Sequence, residues 1–177
     1  MLEMLRDSAF TSAWFGLMAM VWFGWAQEAP PPRTKPLLIA GSVLGVLLAA
    51  GFGVYTGLHW GDPTALNETG RMRFGIVVGI EVAAAGIGCL VFARLGARRW
   101  MAWWVAVVVA LHFLSLAWIF GGWGLVLLGL VQVAGLAWLA YRIKGQEHPT
   151  SRWVGPLMGV TILLFGLVNG VVTLARG

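Results

Sequence analysis

The sequence predicts an all-α integral membrane protein, a six-transmembrane-helix bundle built as a single domain over residues 1–177. Three observations carry that reading. Only 11% of the residues are charged and 59% are hydrophobic, against about 25% charged in soluble domains. Mean hydropathy is +0.83. The charges are also spaced at membrane length, because a span needs about 20 consecutive apolar residues. Stretches that long lie between Asp7 and Glu28, Lys35 and Asp62, Arg73 and Arg94, and Arg152 and Arg176, with Glu81 the sole charge inside any of them. The charge-free stretch from Arg99 to Arg142 is long enough for two spans, and Gly121-Gly122-Trp123-Gly124 divides it near its middle.

Taken in order, the first span covers about residues 9–26. It ends in Gly24-Trp25-Ala26, which has the small-x-small pattern of a signal-peptidase site, but the preceding segment carries Glu3, Arg6 and Asp7 and is not net positive, so a retained helix is expected. Pro30, Pro31, Pro32 and Pro36 make a stiff extended connector to the second span, about 37–58. The longest loop, 60–70, holds Gly61, Asp62, Pro63 and Gly70 and is the expected lid; the third span follows at about 74–92. Asn67-Glu68-Thr69 in that loop matches a glycosylation sequon and carries no weight. Spans four and five, about 100–120 and 125–141, form a tight hairpin, and a polar stretch, 144–152, leads to the sixth, about 154–174.

Composition also excludes functions. The net charge of +5 does not point to nucleic acid, because the basic residues are scattered over loops with no basic face or run. They sort instead by side of the membrane: Arg33, Lys35, Arg94, Arg98, Arg99, Arg142, Lys144 and Arg152 fall on one side, and only Arg6, Arg71, Arg73 and Arg176 on the other. The positive-inside bias then places a cell-membrane protein with both termini on the outer side. Trp25, Trp60, Trp100, Trp123 and Trp153 sit at span ends, as interfacial belts require. The single cysteine, Cys89, allows no disulfide framework and no iron–sulfur site. One intramembrane carboxylate is too few for a carboxylate-bridged dimetal centre. A haem between His59 and His112 is poorly placed, and a zinc site from Glu81, His112 and His59 has ligand types without ligand spacing. No cofactor and no metal site are expected.

The candidate site comes from polar residues inside the bilayer. A charged side chain at a helix centre costs about 2.5–3.5 kcal/mol on insertion scales, so Glu81 must be protonated or paired. His112 is its expected partner, with Gln132, Asn169 and Ser115 as companions. Counted along their spans, Glu81, His112, Gln132 and Asn169 all fall roughly 8–12 Å below the outer edge. Each shares its helix face with small or polar residues: Glu81 with Ala84, Ala85 and Gly88, His112 with Ser115, Gln132 with Gly129 and Gly135, Asn169 with Gly166 and Thr173. Convergence on one polar layer is therefore expected, surrounded by spans three to six and entered past His59 and Asp62. Span three should be the most buried and span one peripheral. Glycines spaced by four, such as Gly41 and Gly45, Gly75 and Gly79, or Gly166 and Gly170, allow close helix approach within the bundle or across a dimer.

The function expected first is a small-molecule transporter or solute-binding membrane subunit, with Glu81 and His112 as a protonatable pair or cation site. Its partners are the lipid bilayer, a small polar or cationic solute or a lipophilic substrate, and a second copy or a partner membrane subunit. The alternatives are a membrane-embedded acid/base enzyme on a lipophilic substrate, whose signature is a lateral opening, and a noncatalytic accessory subunit whose polar residues are packing alone.

Overall fold

The computed structural model describes residues 4–120 and 122–176. Among these residues the protein is all-helical, with α1 (Leu5–Ala26), α2 (Lys35–Leu58), α3 (Glu68–Arg94), a 3₁₀ turn (Arg98–Trp100), α4 (Met101–Phe120), α5 (Trp123–Ile143) and α6 (Ser151–Leu174). All six α-helices are long and apolar enough to cross a membrane. Glu3 and Gly121, which entered the sequence argument, lie outside the described residues. Trp123 and Gly124 belong to α5, so the chain turns just before them, at Gly122.

Local chemistry sets the helix ends. Pro36 occupies the first turn of α2, where its missing N–H costs no hydrogen bond. The proline connector does not stay extended: Pro31 O accepts from Thr34 N and Thr34 Oγ1, and Arg33 takes a φ of 66°. Asn67 caps α3 by accepting from Gly70 N at 2.8 Å, which gives the sequon asparagine a structural use. At the other end of α3, Gly96 at φ 69° lets Gly96 N reach Ala93 O and Ala97 N reach Phe92 O. That is a Schellman closure, and the left-handed residue in it favours glycine.

The arrangement differs from expectation in two helices. Far from being peripheral, α1 packs along both α2 and α6, and its buried face reads Ser8, Ser12, Gly16, Ala19, Phe23 and Ala26. Small residues make this possible. A Cβ on Gly16 would lie 2.6 Å from Ala49 N and from Gly45 O, so the two backbones touch here, and Gly155 meets Ala26 and the Trp22 carbonyl in the same way. In contrast α3, expected to be the most buried span, has no buried residue and packs along α4 and the 3₁₀ turn before it. In lipid a small-residue face carries no penalty for exposure, and Gly75, Gly79 and Gly86 all meet open space.

The helices therefore form a compact trio, α1, α2 and α6, continued sideways through α5 and α4 to α3. Phe15 ties the two parts together, with its ring 5.4 Å from Phe113 of α4 and 5.3 Å from Phe165 of α6. Arginines cover tryptophan rings at the helix ends, among them Arg99 over Trp100 and Arg152 over Trp153, consistent with interfacial belts.

Candidate functional site

Because α3 leans on α4 and not on α1, a cleft remains between α1 and the α3–α4 pair. It is a chamber of about 350 Å³, floored by Ile162 of α6 and Leu125 of α5. Its walls are rich in aromatic rings, with Phe10, Trp14 and Phe15 from α1, Phe74 from α3, and Phe113 and Phe120 from α4. Phe10 and Trp14 are 48% and 49% exposed. α1 and α3 do not pack along one another, and the half-exposed Phe10 and Trp14 leave the chamber partly open on that side.

Glu81 and His112 stand in this wall. His112 Nδ1 lies 3.4 Å from Glu81 Oε2, and the side chains are 9% and 21% exposed respectively. The contact has the separation of a salt bridge, charged when the imidazole holds the proton, but no hydrogen-bond alignment, which leaves His112 Nδ1 buried and without a hydrogen-bond partner. The two residues also border a second hollow of about 300 Å³, lined by Ile80, Trp104, Leu111 and Ser115 among others. The pair is thus a partition, with the aromatic chamber on one side and a groove of α3 and α4 on the other.

A ladder of side chains fixes this pairing. Trp104 Nε1 donates to Ala84 O at 2.9 Å, and its indole lies where a Cβ on Gly88 would stand. Phe92 packs on Trp104, Phe74 meets Phe120 edge-on, and Arg73 covers Trp118. The small face noted around Glu81 therefore makes room for one indole of α4.

The other candidates do not join the pair. Gln132 donates to Thr161 Oγ1 at 2.9 Å, between α5 and α6, with its Oε1 buried and unpartnered. Asn169 faces α1: its Nδ2 donates to Ser8 O at 2.7 Å and to Ser12 Oγ at 2.9 Å, and its Oδ1 accepts from Ser8 Oγ. Thr173 completes that knot with a 2.6 Å contact to Ser8 Oγ. A single polar layer is therefore corrected to three separate interhelix contacts. Depth along a helix does not tell which neighbour a side chain will meet.

His59 and Asp62 are not in the chamber wall. His59 is stacked on Tyr55 at 4.2 Å and contacts its carbonyl, and Asp62 lies in the turn beyond. The end of the chamber nearest the 59–67 loop is formed by Asp7 and Leu66. Asp7 accepts from Thr64 Oγ1 at 2.9 Å and Ala65 N at 2.7 Å, clasping the 59–67 loop to the start of α1. Arg6 strengthens the clasp by donating to Trp60 O at 2.8 Å. Sequence reasoning overlooked Asp7, Phe10 and Trp14 by setting α1 aside, although Asp7, Phe10 and Trp14 recur at helical spacing on one face.

No protein-family model matches this sequence, and neither curated proteins nor solved structures do. The functional reading therefore rests on the chamber and its ion pair.

Proposed function

We propose that this protein binds a small lipophilic solute in the α1–α3–α4 chamber and moves it between the bilayer and the outer aqueous face, with Glu81 and His112 as its polar anchor. The observation that carries the reading is a ligand-sized apolar cavity with an ion pair in its wall. Binding pockets run about 300–1,000 Å³ and combine apolar walls with a few convergent polar groups. Intramembrane charge is costly, so an ion pair at the edge of two hollows is better explained by use than by packing. We also propose a homodimer or a partner membrane subunit, for which the Gly75 and Gly79 face of α3 stands free.

Native mass spectrometry of the purified protein tests the reading. The wild type should carry small lipophilic adducts that Val78→Trp, which fills the chamber, loses while remaining folded. Equal adducts on both would overturn it. A second reading, an acid/base enzyme on a lipophilic substrate, draws on the lateral opening. It requires turnover that Glu81→Gln abolishes without loss of substrate binding.

A further inference from the structure

The titratable groups of the chamber wall are Asp7, Glu81 and His112, with no lysine or arginine among them. Arg6 and Arg73, near the same end, lie over the Trp60 and Trp118 rings, and Arg6 Nε also stands 3.7 Å from Asp7 Oδ1. Asp7 is already engaged by Thr64, Ala65 and Arg6. Glu81 has the His112 imidazole as its described partner, in a contact that lacks hydrogen-bond alignment. The rings of Phe74, Phe113, Trp14 and Phe10 line the same chamber as Glu81, and aromatic ring faces are electron-rich.

We infer that the ligand is a monovalent organic cation with an apolar body, such as a hydrophobic ammonium or phosphonium, whose charge replaces that of His112 beside Glu81; the inference rests on the solute-binding reading above. An anion would meet the Glu81 carboxylate with only the His112 imidazole, and no lysine or arginine of the wall, to offset it. A neutral alcohol would gain the apolar walls but not the carboxylate's charge. A cation gains both, because desolvated cation–π contacts and the carboxylate act on the same centre. The opening between α1 and α3 suits a molecule that arrives from the bilayer with its apolar body leading.

Equilibrium binding to the protein in phosphatidylcholine nanodiscs tests this, with tetraphenylphosphonium as the cation and triphenylmethanol as a neutral hydroxyl of similar body. Tetraphenylphosphonium should bind saturably, and Glu81→Gln should weaken it by about tenfold or more while changing triphenylmethanol by less than about threefold. Glu81→Asp should keep the preference for the cation, and Val78→Trp should weaken both probes. If wild type binds both equally and Glu81→Gln alters neither, the cation inference falls while the solute-binding reading stands on the Val78→Trp result. If neither probe binds saturably, both fall. Should Glu81→Gln fail to fold, a folded Glu81→Asp that binds the cation no better than the alcohol overturns the inference.

Discussion

His112 Nδ1 lies 3.4 Å from Glu81 Oε2, and the two side chains together separate the aromatic chamber from the groove on the outer surface of α3 and α4. Among the residues lining the two hollows, Asp7 of α1, at the end of the chamber near the 59–67 loop, is the one titratable group besides this pair.

That isolation gives pH dependence a definite sign. Whichever member of the pair holds the proton, a bound organic cation displaces it, because the site compensates one positive charge. Cation affinity should therefore rise with pH, by at most about tenfold per unit, the limit for one linked proton. Glu81→Gln should flatten the profile and His112→Ala should shift its midpoint. A wild-type profile that falls with rising pH would contradict this arrangement. Neither Asp7, clasped by the loop, nor His59, stacked on Tyr55 outside the chamber wall, should alter it when mutated to Asn or Gln.

The Asn169 knot should behave as structure alone. Asn169→Ala removes hydrogen bonds to Ser8 and Ser12 between α1 and α6, at a cost of about 1 kcal/mol on the scale of membrane hydrogen bonds, which average about 0.6 and reach about 1.7. Unfolding in mixed micelles should show that loss, while binding of tetraphenylphosphonium to the folded variant stays unchanged. A folded Asn169→Ala that loses the probe would tie the knot to the site.

How far the sequence could be read follows from the same residues. Span number and ends came from charge spacing, a one-dimensional quantity that the bilayer enforces, and they agree with the helices to within a few residues except at the start of α3, which begins at Glu68. The Glu81–His112 pairing was also accessible, since an intramembrane carboxylate needs a partner and His112 lies in the next helix at similar depth. Helix neighbours were not. The same small residues that let α1 bury Ser8, Ser12 and Gly16 against α2 and α6 look, on paper, like the small residues of α3 that face open space. In water, burial and apolarity go together; in lipid both faces of a span are apolar, so periodicity loses its power to separate inside from outside.

Three glycines turn this into a graded prediction. Gly16→Val should be the most damaging, because a side chain there meets the Ala49 and Gly45 backbones, which cannot yield. Gly88→Val should leave the α1–α2–α6 trio intact but displace Trp104, at about 1–3 kcal/mol for overpacking, and separate Glu81 from His112. Gly75→Val, facing open space, should be near neutral in the monomer. Thermal unfolding should rank them in that order, and Gly88→Val should lose tetraphenylphosphonium binding out of proportion to its stability.

Alternation of six spans puts the 59–67 and 144–150 loops at opposite ends of the bundle. Cysteines introduced at Ala65 and Glu147, both exposed, should be labelled by an impermeant maleimide from opposite sides of the membrane. With both termini outside, as the distribution of Lys and Arg proposes, Ala65→Cys reacts in intact cells and Glu147→Cys only after permeabilisation. Labelling of both from one side would overturn the span count, and the reverse pattern would overturn the orientation.

Asp7 offers the test of how ligand reaches the aqueous face. Its carboxylate holds Thr64 Oγ1 and Ala65 N, and the next loop residue, Leu66, lies in the chamber wall. Asp7→Asn keeps the size of the side chain but weakens charge-assisted bonds, which are roughly twice as strong as neutral ones. The loop should then open more often, with faster amide hydrogen exchange at Ala65 and Leu66. If the loop gates this end of the chamber, association and dissociation of tetraphenylphosphonium should both accelerate by a similar factor, leaving equilibrium affinity nearly constant, because Glu81 and the chamber rings are untouched. Faster exchange with unchanged ligand rates would assign all traffic to the opening between α1 and α3. Loss of affinity with unchanged exchange would instead make Asp7 a second carboxylate for the cation.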